Sequence, residues 1–141
     1  MDNATQEKLF AAAIPLFAKK GYAAVSIREI AKAADINVSS ISYYFRGKEG
    51  LYHAIVEEHV KAIAESILSA EKLAPEERLR HYAQGICDVH TKKPYVTRFL
   101  QSELVNPTSA MDQILKKNIF SFYRFLNKAI QDGIDTGLFR S

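Results

Sequence analysis

The stretch Asp35 to Phe45 reads DINVSSISYYF: three serines and two adjacent tyrosines in eleven residues, with Asp35 the single charge. Hydroxyls both donate and accept hydrogen bonds. Such a segment suits a surface that lies against a partner studded with oxygen acceptors, or it is an ordinary Ser-rich turn. Other reactive side chains are sparse. Cys87 and His90 stand at i, i+3 and could share a metal ion, but no second ligand pair accompanies them. The remaining histidines, His53, His59 and His81, do not make the HExxH spacing of a zinc helix. No Gly-rich phosphate loop or nucleophile elbow occurs. Asp88 and Glu103 read as scattered, solvated acids. No enzyme chemistry, metal or cofactor is expected. An all-α metal-binding enzyme using Cys87 and His90 is the weakest of the functional alternatives.

The elements that position the hydroxyl-rich stretch are helical. Leu9, Phe10, Ala13, Ile14 and Phe17 recur at helical spacing, and Lys19-Lys20-Gly21 is a stop signal. Pro15 interrupts that pattern, where a bend or loosened turn is expected. Ser26 is a good N-cap for a second helix, with Glu29 at capping-box spacing. Ile27, Ile30, Ala31 and Ala34 then face inward, and Arg28 and Lys32 outward. Asp35-Ile36-Asn37 is long enough only for a tight turn, and Asn37 caps a third, brief helix from Val38 to about Tyr44. Two helices joined by so short a turn make a helix-turn-helix unit.

Longer helices follow, from about Lys48 to Glu71, from Pro75 with Leu79, Tyr82, Ala83, Ile86 and Cys87 on its buried side, from Pro94 to about Val105, and from about Ser109 to Asp132. Gly133 and Gly137 are expected to loosen the chain after that. Phe120, Phe122, Tyr123 and Phe125 surround more than one face of the last helix, which should therefore be buried on several sides, against a ligand, a partner subunit, or both. No strand pattern, repeat or low-complexity tract stands out, so the fold class is all-α.

Composition agrees with a globular chain: 48% of the 141 residues are apolar and 25% charged. One cysteine permits no internal disulfide and fits a reducing, cytoplasmic setting. No apolar run reaches membrane-span length, and no membrane partner is expected. The net charge is +3, with seven Lys/Arg against five Asp/Glu in residues 1–52 and twelve against eleven in residues 53–141. That balance permits nucleic-acid binding without requiring it.

The segment FAKKGYAAVSIREIAKAADINVSSISYYFRGKEGLY, Phe17 to Tyr52, resembles the DNA-binding region of the TetR family of bacterial transcriptional regulators. The resemblance lies in Phe17-x-x-x-Gly21-Tyr22, Ser26-Ile27-x-x-Ile30-Ala31, Tyr43-x-Phe45 and Lys48-Glu49-x-Leu51. Ile36 to Tyr52 is similar to a subgroup whose recognition helix reads roughly VNxAAINYHF. Asp35 stands where the family usually has glycine, and Ser42 replaces the commoner tyrosine or asparagine. Asp132 to Arg140, DGIDTGLFR, also resembles the segment that commonly precedes the family's final helices.

The resemblance implies a helix-turn-helix DNA-binding domain over residues 1–52, its motif at about 26–45, and a partial helical ligand-binding and dimerisation domain over residues 53–141. It leads one to expect two further helices beyond Ser141 that form the dimer interface. It further implies a ligand-responsive repressor that binds a palindromic double-stranded operator in the major groove as a homodimer. Val38, Ser39 and Ser40 would meet base edges, with Ser42 beside them; Tyr43, Tyr44 and Lys48 would hold phosphates. Arg28 is the one long donor fork placed for guanine, and the caps Ser26 and Asn37 complete the candidate DNA-binding set. Tyr82, Ile86, Cys87, His90, Phe99, Ile119, Phe122, Tyr123 and Leu126 are candidates for lining a pocket for an unknown small-molecule effector. The alternative is a helical protein-interaction module that keeps the fold without reading DNA.

Overall fold

A computed structural model describes residues 1–140, without the side chains of residues 109–111, 113, 115–117 and 119. Seven helices occur among the described residues: α1 (Asn3–Lys20), α2 (Ile27–Ala34), α3 (Val38–Phe45), α4 (Lys48–Leu68), α5 (Pro75–Lys92), α6 (Pro94–Val105) and α7 (Ser109–Asp135). No strand occurs among the described residues. The expected all-α class is the observed one.

Local chemistry sets the ends of the first four helices. The Asp2 carboxylate accepts from the Thr5 N–H at the start of α1, and Gly21 closes it at φ 79°, donating to the Phe17 carbonyl. The helix runs through Pro15 and buries Leu9, Phe10, Ala13, Ile14 and Phe17, the five positions its periodicity picks out. Ser26 Oγ accepts from the Glu29 N–H at 3.2 Å. The other half of the capping box is absent among the described hydrogen bonds, because the Glu29 carboxylate goes to Lys20 Nζ at 2.5 Å instead. That bond holds the Glu29 carboxyl below its usual range. Asp35 closes α2 in the left-handed region, φ 53° and ψ 51°, the conformation a glycine would otherwise supply.

The α3–α4 junction is crowded. Arg46 ends α3 at φ 59°, and Gly47 starts α4 at φ 109°. A Cβ on Gly50 would sit 1.7 Å from the Phe45 carbonyl oxygen, so only glycine lets the two helices approach this closely.

One apolar cluster ties the N-terminal helices to α6. Leu9, Phe10, Phe17, Ile30, Ile41, Leu51 and Ile55 pack in it with Val96 and Phe99. Within it Phe17 meets Tyr52 edge-on at 4.8 Å, and Tyr52 meets Phe99 at 5.0 Å. Burying each such side chain contributes roughly 1.5–3 kcal/mol. The expected domain boundary near residue 52 falls inside the continuous helix α4, which carries the core on both sides of it. A smaller cluster of Ile67, Ala70 and Phe125, flanked by Ile63, Tyr82, Phe122 and Leu126, joins α4, α5 and α7.

Three expectations are corrected. Helix α4 stops at Leu68 rather than Glu71. On α5 the buried residue is Arg78; Ala83 and Cys87 are exposed, and Leu79, Tyr82 and Ile86 are half-buried. Gly133 lies within α7 instead of breaking it, and its bare Cα admits the Phe139 ring, which a Cβ would meet at 2.0 Å. Within the single chain, α7 buries Phe125, 5% exposed, and leaves Phe120 and Tyr123 66% and 63% exposed.

Glu103 is the largest departure, since a residue read as solvated is only 2% exposed. The Tyr52 hydroxyl donates to one of its oxygens. The Thr108 N–H and Oγ1 donate to the other, at 3.0 and 2.8 Å. Three donors satisfy the buried carboxylate, as burial of a charge requires. The link joins α4, α6 and the start of α7. Burial and the Glu103 carboxylate together push the Tyr52 phenol well above its ordinary value.

Candidate nucleic-acid interface

Helix α3 has one fully buried anchor, with Val38 and Phe45 packed beside it, and exposes Ser39, Ser42, Tyr43 and Tyr44. Ile41 is completely buried, while Val38 and Ser40 are half-buried and Ser39 and Ser42 exposed. Tyr43 and Tyr44 are 81% and 52% exposed, and their rings meet edge to face at 5.1 Å. Exposing two adjacent tyrosines gives up apolar burial worth a few kcal/mol. Their hydroxyls therefore stand at the surface with the serine hydroxyls on one short element. Phe45 instead packs against Phe10 at 5.9 Å, as its place in the pattern requires.

The caps are partly committed to the fold. Asn37 Oδ1 accepts from the Ser39 N–H at 2.8 Å, which leaves its amide N–H groups as donors. Ser26 Oγ accepts its cap bond and keeps its own hydroxyl proton to donate.

Lys48 is oriented. Its ammonium donates to the Tyr22 carbonyl at 2.9 Å and lies 4.3 Å from the centre of the Tyr22 ring. One of three N–H groups is thereby used, and the charge is fixed at the start of α4. Arg28 is exposed on α2. It lines an open groove of about 460 Å³ with Ala31, Lys32, Asp35, Asn37 and Val38, which brings the α2 donor fork beside the start of α3. Asp35 in that groove is 3.8 Å from Lys8 Nζ.

Two contributors escaped the sequence reading. Tyr22 orients Lys48 through a backbone carbonyl that no residue type advertises. Lys32 lines the groove four residues after Arg28, and that spacing, one helical turn on the same face, is the signal that could have found it.

The candidate effector residues whose side chains are described lie in different surroundings. Phe99 belongs to the main core, and Tyr82, Phe122 and Leu126 pack together in the smaller cluster. Ile86 is half-buried, while Cys87, His90 and Tyr123 are exposed. The Ile119 side chain lies outside the described residues. His90 turns its Nδ1 to the Ile86 carbonyl at 2.9 Å, a bond within its own helix. A cavity of about 200 Å³ does lie between α4, α5 and α6, but His59, Ile63, Ser66, Asp88, Val89 and Val96 line it. No cluster of three metal-ligating side chains occurs among the described residues. None of the described helices is long and apolar enough to cross a membrane.

Two helices joined by the short turn Asp35-Ile36-Asn37, as α2 and α3 are, define the helix-turn-helix class. Residues 9–55 match the bacterial regulatory proteins of the tetR family. Over 98% of its length the chain superposes on a linker-substituted mutant of HlyIIR, with 30% identity, a TM-score of 0.80 and 75% of that chain covered. The chain belongs to the tetR family of bacterial regulatory proteins. It is 33% identical over 134 residues to YttP of Bacillus subtilis (strain 168), whose name describes a probable HTH-type transcriptional regulator. That match covers 92% of this chain and 62% of YttP. With the HTH-type transcriptional repressor NicS of Pseudomonas putida it shares 29% identity, over 96% of this chain and 66% of NicS. The chain thus spans less than two thirds of either relative.

Proposed function

We propose that this protein is a sequence-specific DNA-binding transcriptional regulator that represses until a small-molecule effector releases it. The observation that carries this reading is α3: one buried anchor, Ile41, and an outward face of Ser39, Ser42, Tyr43 and Tyr44 between Arg28 and Lys48. A helix so held can enter a major groove with its N-terminal residues at base edges while flanking groups grip phosphates. Residues 1–52 form the DNA-binding part and residues 53–141 part of a ligand-binding and dimerisation region. Two copies would place two α3 helices on the half-sites of a palindromic operator. The names of YttP and NicS, a regulator and a repressor, support a role in transcription. A cytoplasmic setting follows from that role.

The cavity between α4, α5 and α6 is the place for an effector better supported than the cluster around Cys87 and His90. Its position against α4, the helix that begins at Lys48, would let occupancy bias the spacing of the two recognition helices.

The test is fluorescence anisotropy with a pool of randomised duplexes at several salt concentrations. Expected are selective enrichment of a symmetric site and an affinity that falls with salt by counterion release. A folded protein that binds no duplex at low salt overturns the reading and favours the protein-interaction module.

A further inference from the structure

A second cavity, of about 380 Å³, opens where the end of α4, the first turn of α5 and the second half of α7 meet. It is distinct from the α4–α5–α6 cavity, and it lies about 30 Å from Lys48 by helical rise along α4. Arg78, Arg124 and Lys128 line it, with Glu71 the single acid among the described lining residues and Leu68 and Phe125 the apolar surface.

The charges there are unevenly matched. Arg78 is 5% exposed, and its Nη2 donates to Asp132 Oδ2 at 2.5 Å. Lys128 Nζ approaches the same oxygen at 3.6 Å, so one carboxylate serves two cations. Arg124 adds a third cation to the wall. Arg78 Nε, moreover, is buried and has no hydrogen-bond partner. A buried guanidinium N–H that lacks an acceptor is costly, and a guanidinium edge matches the paired oxygens of a carboxylate or phosphate.

We infer that this cavity binds an organic anion, its carboxylate or phosphate held by Arg78, Arg124 and Lys128 and its apolar part lying on Leu68 and Phe125. An anion oxygen admitted beside the guanidinium supplies the acceptor that the protein does not. The volume suits a small molecule rather than a lone ion. The site is independent of DNA reading, and the two proposals stand or fall separately.

The experiment is thermal unfolding of the full chain with sodium phosphate, sodium octanoate or neutral octanamide, at ionic strength fixed with sodium chloride. Octanoate or phosphate should raise Tm saturably by mass action. In the double variant Arg124→Gln/Lys128→Gln the midpoint concentration should rise tenfold or more. Both side chains are exposed, so the variant retains the fold, and Arg124→Gln alone gives a second reading. A response to octanoate but not octanamide assigns a carboxylate ligand, and a response to phosphate alone assigns a phosphate ester. No response to either anion, an equal response to octanamide, or an unchanged midpoint in both variants overturns the site.

Discussion

Arg28 and Lys48 carry opposite jobs in the proposed interface, and their surroundings say why. Arg28 is exposed beside the start of α3, with its guanidinium fork uncommitted to any hydrogen bond among the described residues. Beside the start of α3 it is the guanidinium fork that can span guanine O6 and N7, an interaction worth roughly 1–3 kcal/mol against a wrong base. Arg28→Ala should therefore relax preference at one symmetric guanine in each half-site and leave non-specific affinity largely intact. Binding profiles over randomised operators at fixed salt would decide it; an even loss across sequences would make Arg28 a phosphate contact. Lys48, fixed by the Tyr22 carbonyl and ring, is a point charge on a helix start. Lys48→Ala should weaken all duplexes similarly and lower the slope of log affinity against log salt by about one. A change confined to one operator would reject that assignment.

The α2–α3–α4 unit works because each junction is sterically specified. Asp35 takes the left-handed turn, Asn37 caps α3, and Gly50 permits α4 to pass the Phe45 carbonyl. Gly50→Ala forces a Cβ into backbone, which cannot swing aside as a side chain would. It should cost roughly 1–3 kcal/mol or more, the range for overpacking, in urea unfolding. It should also weaken DNA binding beyond its stability cost, because α3 must shift relative to Lys48. Asp35→Gly, by contrast, relieves a left-handed non-glycine residue and should be close to neutral. A neutral Gly50→Ala would show that the junction relaxes freely.

Two of the polar links between helices involve a buried charged side chain, Glu103 and Arg78. Glu103 joins Tyr52 on α4 to Thr108 at the head of α7 from within the core. Glu103→Ala strands the Tyr52 hydroxyl and the Thr108 N–H and should cost on the order of 2–3 kcal/mol. Combined with Tyr52→Phe in a double-mutant cycle, it should show a coupling of roughly 0.5–3 kcal/mol, and additive losses would mean the contact contributes nothing. The Arg78–Asp132 pair adds a pH dependence. Its hydrogen bond from Arg78 lowers the Asp132 carboxyl below the ordinary value of 3.8. A depressed folded value means the contribution is present above about 3.8 and is lost as pH falls through the folded value. The Tm gap between wild type and Asp132→Asn should thus be widest near neutrality and close on acidification. A gap that stays constant to low pH would remove the ion pair from the stability account.

Helix identity and caps were legible in the sequence because they depend on neighbours within four residues. Ser26, Asp35 and Asn37 perform at their positions the local roles their side chains suggest, and the five apolar residues of α1 are buried as their spacing demands. The hydroxyl-rich α3 was legible for the same reason. Burial of charge was not. Glu103 and Arg78 look solvated in one dimension, and only packing brings Tyr52, Thr108 and Asp132 to them from distances of 5 to 54 residues along the chain. The cavity between α4, α5 and α6 likewise depended on which helix faces meet. Periodicity tells that a helix has an apolar side, but α7, apolar on more than one face, buries Phe125 and exposes Phe120 and Tyr123. Local hydrogen bonds and steric limits act through the sequence itself; long-range contacts exist only once helices have chosen their partners, and that choice belongs to the tertiary structure.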